Sequence, residues 1–320
     1  MPPFRLVKAS NDAYSPSYAP VVVVFGGTSG IGRAMTKRLA ELLQGRVHIV
    51  VVGRNKPEAD KLFATLPTPT SFGPSSAQPK SEPECTREFI YCDLYHMSNI
   101  HRICTEILSR FPKINYLVLT AGVASFGARC ETDEGIDKLF ALRFYWKFAA
   151  INDLLPGLRV ARDRGEAASV FVCLGMGNGP KIDFGDLGAK TKYWKGVRPI
   201  WQGLSYGDLA LALFAERDPE IAFTHMFPGM VRTEANSPQA VSNPILKFII
   251  WLLLPLMWLL FIPVDVSAEN MIYGLLNGEK GFFQRNTVGD SVGPRNVNYS
   301  EREKERFWEH CMQTTRSVPK

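Results

Sequence analysis

The chain has little that would tie it to a metal, to nucleic acid or to an oxidising compartment. Its five histidines, His48, His96, His101, His225 and His310, show no ligand spacing, so no metal site is read from them. Its six cysteines (Cys85, Cys92, Cys104, Cys130, Cys173, Cys311) form neither paired metal-ligand spacings nor a dense framework, and reduced thiols in a cytosolic setting are the simplest reading. The formal charge of +6 comes from lysines and arginines that are scattered rather than run together, which excludes the basic patch expected of a nucleic-acid binder. A mild attraction to anionic cofactors or membrane surfaces remains compatible with it. Residues 1–20 contain no apolar core of the kind a secretory leader needs, and they read as a flexible arm on a protein that is not secreted. Neither Ser125, Ser205 nor any cysteine combines with a base into a convincing nucleophile, so a hydrolase has little support. No internal repeat is visible.

What the chain does have is enough apolar sequence for a full core. Of its 320 residues 46% are apolar and 21% charged, the composition of an ordinary globular protein with one large α/β domain or two small ones. Short β-branched runs alternate with amphipathic stretches from Val21 onward. Val21–Phe25, Val47–Val52, Phe89–Cys92, Ile114–Thr120, Val170–Leu174 and Ala222–Phe227 read as strands buried on both faces, and Gly281–Phe282–Phe283 as a further candidate. Helices between them predict right-handed crossovers and a doubly wound parallel sheet in a single Rossmann-type domain, residues 21–294. Residues 66–84, rich in Pro, Ser and Thr, read as an unstructured surface insertion. Residues 295–320 read as a C-terminal helical tail, opened by a capping box from Ser300 to Glu303.

One segment breaks the pattern. Ile245–Ile262 carries no charge after Lys247 and approaches the length and apolarity of a membrane span. A true span would cut the later helix and strand off from the sheet, and Pro255 at its centre favours a bend. Three readings follow: a hydrophobic hairpin dipping into a membrane from the cytoplasmic side, an apolar substrate lid or dimer face, and a span.

Between the first strand and its helix stands Gly26–Gly27–Thr28–Ser29–Gly30–Ile31–Gly32. Glycines there let the chain turn tightly, let a pyrophosphate reach the backbone, and let the helix pack close to the strand, while the helix N-terminus offers free N–H groups. Gly-x3-Gly-x-Gly resembles the turn of the short-chain dehydrogenase/reductase family. Further matches follow in order: Asp93–Leu94 after the third strand, Leu119–Thr120–Ala121–Gly122 after the fourth, and Pro228–Gly229–Met230–Val231–Arg232–Thr233 after the sixth. The resemblance covers roughly Val21 to Thr233. It implies a nicotinamide dinucleotide held by Gly26, Thr28, Ser29, Gly30, Ile31, Gly32, Asp93, Leu94, Ala121, Gly122, Pro228, Gly229, Val231 and Thr233; homodimers are common in that family. Arg54 after the second strand and Arg33 in the first helix stand where an acidic residue would select NAD, and they suit a 2′-phosphate, so the cofactor expected is NADP(H).

The family's catalytic residues are less complete. It uses Tyr-x-x-x-Lys with an upstream Ser and a helical Asn. Tyr206 fits the tyrosine, but Ala210 stands at the lysine, Gly175 at the serine and Arg143 at the asparagine. In one reading Tyr206 is the general acid and Arg143, with Lys181 and Lys192 as weaker candidates, lowers its pKa. In another, Tyr206 is only packed and the protein binds cofactor as a sensor or scaffold, or supports a non-redox step such as a cyclisation. Leu142–Trp146, Gly175–Gly179 and Tyr206–Leu209 resemble a fungal branch of the family, often found in secondary metabolism, that shares these departures. That likeness favours a working enzyme and names no substrate; together with the apolar Ile245–Ile262 segment, the expectation is an oxidoreductase acting on a carbonyl or alcohol of a lipophilic small molecule.

Overall fold

Strand β1 (Val21–Phe25) shows why the sheet has helices on both faces. Its residues are all buried, with Val21, Val23 and Phe25 in one hydrophobic cluster and Val22 and Val24 in the other. Successive side chains point to opposite faces, so a run without polar residues requires two covered faces. The structure, a computed structural model, describes residues 2–68, 85–122, 128–192, 197–234, 248, 251, 258, 260–278 and 280–316. Residues 69–84, and all of Ile245–Ile262 except residues 248, 251, 258 and 260–262, lie outside them.

Six more strands follow: β2 (His48–Gly53), β3 (Arg87–Tyr91), β4 (Tyr116–Leu119), β5 (Ser169–Cys173), β6 (Ala222–Met226) and β7 (Gly281–Arg285). They form one parallel sheet in the order β3-β2-β1-β4-β5-β6-β7, a Rossmann-type doubly wound sheet in a single domain. The order reverses between β1 and β4, and a crevice opens there at the carboxyl ends of the strands.

The helices are α1 (Phe4–Asp12), α2 (Gly30–Leu42), α3 (Lys56–Thr65), α4 (Met97–Arg110), the single turn α5 (Lys138–Phe140), α6 (Trp146–Asp163), α7 (Val197–Arg217), α8 (Val264–Leu276) and α9 (Glu301–Thr315). A π-helical stretch, Ala141–Tyr145, joins α5 to α6. Helix α8 fills the crossover between β6 and β7, so the chain beyond the apolar segment returns to the sheet. No helix among the described residues is long and apolar enough to cross a membrane.

The expected flexible arm is corrected. Residues Phe4–Asp12 are helical, and Val7 and Asn11 of that helix are fully buried. Asn11 Nδ2 donates to both Glu269 O and Glu269 Oε1 at 2.9 Å, and Arg38 Nε donates to Glu269 Oε2 at 2.8 Å. One buried carboxylate thus ties α1, α2 and α8 together. At the other end Ser300 and Glu303 form a reciprocal capping box, and Phe307 and Cys311 of α9 are buried against α6 and α7.

Candidate active site

At the end of β1 the backbone of Gly26 takes a φ of +91°, and a Cβ there would lie 2.7 Å from Ala121 N. At Gly32 a Cβ would come within 2.4 Å of both Gly26 O and Thr120 Oγ1. These two positions admit glycine alone, because α2 and the β4 turn press on β1 at that point. Thr120 Oγ1 donates to Phe25 O at 3.0 Å, clamping the two turns together. The result is a groove of about 390 Å³ lined by Gly26, Thr28, Ser29, Gly30, Ile31, Gly32, Arg54, Asp93, Leu94, Ala121, Gly122 and Thr233, among others. The residues expected to hold a dinucleotide are therefore brought together, and the cradle fits one: glycines let a pyrophosphate reach the backbone, and the N-terminus of α2 faces it. Glu234 Oε2 accepts the Gly30 N–H at 3.3 Å, putting a carboxylate where an anion would bind.

Four of the expected residues lie elsewhere. Arg33 lines an adjoining pocket of about 680 Å³ and pairs with Glu234 (2.9 Å) and Glu58 (3.6 Å). Pro228 lines the neighbouring cavity described below. Gly229 and Val231 shape the turn instead: Gly229 has a φ of +76°, and Val231 is buried and bridges to Ile262.

Beyond Ala121 and Gly122 the groove continues into a cavity of about 700 Å³. Ile31, Leu174, Ile200, Trp201, Leu204, Phe227 and Pro228 make it largely apolar, and Arg143, Cys173 and Asn178 are its polar groups apart from Thr120. Its size suits an organic ligand. The Gly175–Gly179 loop forms one wall and is held from behind. Asp208 Oδ2 on α7 accepts the Gly177 N–H (2.9 Å), and its other oxygen meets His225 Nδ1 (2.7 Å) with both side chains fully buried.

Tyr206 is not brought to this cavity, which corrects its assignment as general acid. The side chain is fully buried, with its ring about 5 Å from those of Phe140, Phe144 and Phe307. Its hydroxyl accepts the Gly188 N–H at 3.1 Å, and burial pushes its pKa well up. The α7 positions four apart that face Arg143 and Lys147 are Gly203 and Gly207, and a Cβ on Gly203 would lie 3.3 Å from Arg143 Cβ. The helix therefore offers this region no phenol and no amine.

Arg143 does reach the cavity. Its Nη2 donates to Ile200 O at 3.3 Å, while its buried Nε has no partner. Lys181 and Lys192 do not line the cavity; Lys192 Nζ pairs with Asp183 at 3.3 Å on the surface. The cation that reasoning from motifs missed is Lys147. Its ammonium is buried and donates to Ala121 O (3.1 Å) and, one turn back, to Arg143 O (3.0 Å), within the widened π turn. Burial, with Arg143 nearby, lowers its pKa to about 7. One signal was available: Lys147 interrupts an apolar run from Phe144 to Ile151, and lysine is rarely buried without a partner. No group of His, Cys, Asp and Glu among the described residues could hold a metal.

The chain is similar to known oxidoreductases. A chain from Emericella nidulans named oxidoreductase AN1596 is 28% identical over 273 residues, covering 85% of this chain and 76% of its own. Human polyprenol dehydrogenase is 24% identical over 311 residues, covering 92% and 84%. The NADPH-bound carbonyl reductase from chicken fatty liver has the same fold, with a TM-score of 0.56 at 16% identity over 86% of this chain and 99% of that one. Residues 20–183 match the family model described as short chain dehydrogenase. With that match across half its length, the chain belongs to the short-chain dehydrogenase/reductase family of oxidoreductases.

Proposed function

We propose that the protein is an NADP(H)-dependent oxidoreductase that moves a hydride between the nicotinamide and a carbonyl or alcohol of a lipophilic small molecule. One observation carries the reading: the dinucleotide groove and the apolar cavity are continuous through Ile31, Thr120, Ala121 and Gly122. The nicotinamide, when bound, supplies or accepts the hydride. The chain's own residues hold the groove in shape, exclude water with Leu174, Leu204 and Phe227, and place positive charge on the cavity wall. Arg143, with an unpartnered Nε, would stabilise negative charge growing on a substrate oxygen.

Arg54 lines the groove and meets no carboxylate among the described residues, which supports a 2′-phosphate there. Arg33 is a weaker contributor because two carboxylates already hold it. The apolar cavity supports a lipophilic substrate, and human polyprenol dehydrogenase, by its name, acts on a polyprenol. Trp201, Met230, Phe248, Trp251, Trp258 and Leu260 are exposed large apolar side chains around the cavity rim and the Ile245–Ile262 segment. They support contact with a membrane surface, where such substrates dissolve.

The test is to offer the purified protein NADPH and NADH in parallel, measure binding by nicotinamide fluorescence, and follow oxidation with a panel of lipophilic ketones and isoprenoid aldehydes. NADPH should bind at least tenfold more tightly and be consumed with at least one of them. Tight binding without consumption would favour a second reading, a cofactor-binding sensor or scaffold, which is supported by the burial of Tyr206 and the glycines on α7.

A further inference from the structure

An oxidoreductase that turns a carbonyl into an alcohol needs a proton as well as a hydride, and the groups beside this cavity differ in their ability to give one. Among the described residues the ionisable side chains at or behind its wall are Arg143, Cys173 and Lys147. A guanidinium does not release its proton in a protein. Burial pushes the Cys173 thiol up to about 12, so it too keeps its proton at neutral pH. Helix α7 contributes Ile200, Trp201 and Leu204 to the cavity and Gly203 and Gly207 to the face behind it.

We propose that Lys147 is the proton donor of this cavity, its ammonium reaching from α6 beneath the Ala121–Gly122 turn to the place that α7 leaves empty of any acid. The inference rests on the redox reading above. The geometry is specific. An ammonium has three N–H donors. Two are fixed by Ala121 O and Arg143 O, and the ammonium also stands over the Trp146 ring, 4.7 Å from its centroid, a contact that leaves its third N–H without a hydrogen-bond acceptor among the described residues. Nζ lies 3.9 Å from where a Cβ on Gly122 would stand, and Gly122, Ala121, Cys173 and Arg143 all line the cavity. Lys147 itself is buried behind the cavity wall, and a side chain at position 122 would stand between its ammonium and the cavity that Gly122 lines. The charged and titratable groups facing Lys147 are Arg143 from the π turn and Cys173 from β5, while the adjacent α7 face contributes Gly203, Gly207, Ala210 and Leu211. The pKa near 7 that follows from burial and from Arg143 suits an acid that must give and recover a proton at neutral pH.

In the reducing direction the hydride, with its electron pair, comes from NADPH to the carbonyl carbon. An N–H bond at Lys147 Nζ breaks, an O–H bond forms on the substrate oxygen, and the neutral amine is reprotonated from solvent. In the oxidising direction the neutral amine takes the hydroxyl proton.

Two measurements test this. In protein labelled with 13C at lysine Cε, the Lys147 signal, assigned by its loss in Lys147→Arg, should titrate near pH 7 and shift when NADP+ is added. A midpoint near the ordinary 10.5, or no response to NADP+, would overturn the proposal without any substrate in hand. In turnover, kcat for reduction should fall as pH rises above about 7. Lys147→Met and Lys147→Arg should each lose at least a hundredfold in kcat while NADPH affinity changes by less than about fivefold. Arginine keeps the charge, so a fully active Lys147→Arg would show a merely electrostatic role and refute proton donation. Thermal melts identify any variant that has failed to fold, and for such a variant the titration decides. A wild-type protein that consumes no carbonyl substrate, yet whose Lys147 titrates near 7 and answers NADP+, would sink the redox reading and leave the proton site standing.

Discussion

Replacing Tyr206 by phenylalanine separates the position of this side chain from the role its sequence context suggests. The ring stays, so its contacts with Phe140, Phe144 and Phe307 survive. What disappears is the oxygen that accepts the Gly188 N–H at 3.1 Å. Leaving one buried N–H without a partner costs roughly 1–3 kcal/mol. For a chain of this length that is a fall in Tm of about 2–5 °C. Loss of a general acid instead costs about 10²–10⁴ in rate. Tyr206→Phe should therefore lower Tm by a few degrees, leave NADPH binding unchanged and keep kcat within about threefold, read by circular dichroism melts and reduced-nicotinamide absorbance. A hundredfold loss of kcat at unchanged Tm would refute the reasoning, because it would require the hydroxyl to reach the reacting atoms.

Three other changes probe the groove and the fold. Gly32→Ala puts a methyl 2.4 Å from Gly26 O, so α2 must move off β1; NADPH affinity should fall at least tenfold in a fluorescence titration, with a lower Tm. Arg54→Ala should weaken NADPH about tenfold and NADH by less than twofold, since only the phosphorylated ribose meets the guanidinium; equal losses for both cofactors would refute that contact. His310 is half-buried with its ring bonded to the Tyr145 hydroxyl, and desolvation lowers its pKa from 6.5 to about 4. The unfolded chain then binds the extra proton between these values, so stability should fall as pH drops from about 6.5 to 4, by about 3 kcal/mol at most. Denaturation of His310→Gln across that range should show a flatter pH dependence than the parent protein.

The sheet was legible because its strands are unbroken apolar runs such as Val21–Phe25 and Val47–Val52, which no other layer of this fold would tolerate. The groove was legible for a related reason: Gly26, Gly32 and the Thr120–Gly122 turn are constrained by contact with each other's backbone, so the motif carries its own geometry. The catalytic side was harder to read. A spacing rule finds Tyr206, but helical phase decides which residues face the cavity, and on α7 that face carries Ile200, Trp201 and Leu204, with Gly203 and Gly207 turned toward Arg143 and Lys147 behind it. Lys147 escaped because no motif contains it and only the folded chain shows its ammonium beneath Ala121. Residues 1–20 misled for a simpler reason: Phe4–Asp12 is a short stretch, and what orders it, beside the buried Val7, is a polar tether from Asn11 to Glu269, 258 residues further along the chain.

The central claim is that a hydride passes from the groove into the apolar cavity. Deuterium transfer tests it most directly: NADPH carrying deuterium at the transferable position of its nicotinamide is incubated with the protein and a lipophilic ketone, and the product is weighed by mass spectrometry. The account predicts an alcohol one deuterium heavier, formed from one face of the labelled ring and not the other. Unlabelled ketone recovered intact across the panel, with NADPH bound but unspent, would contradict it.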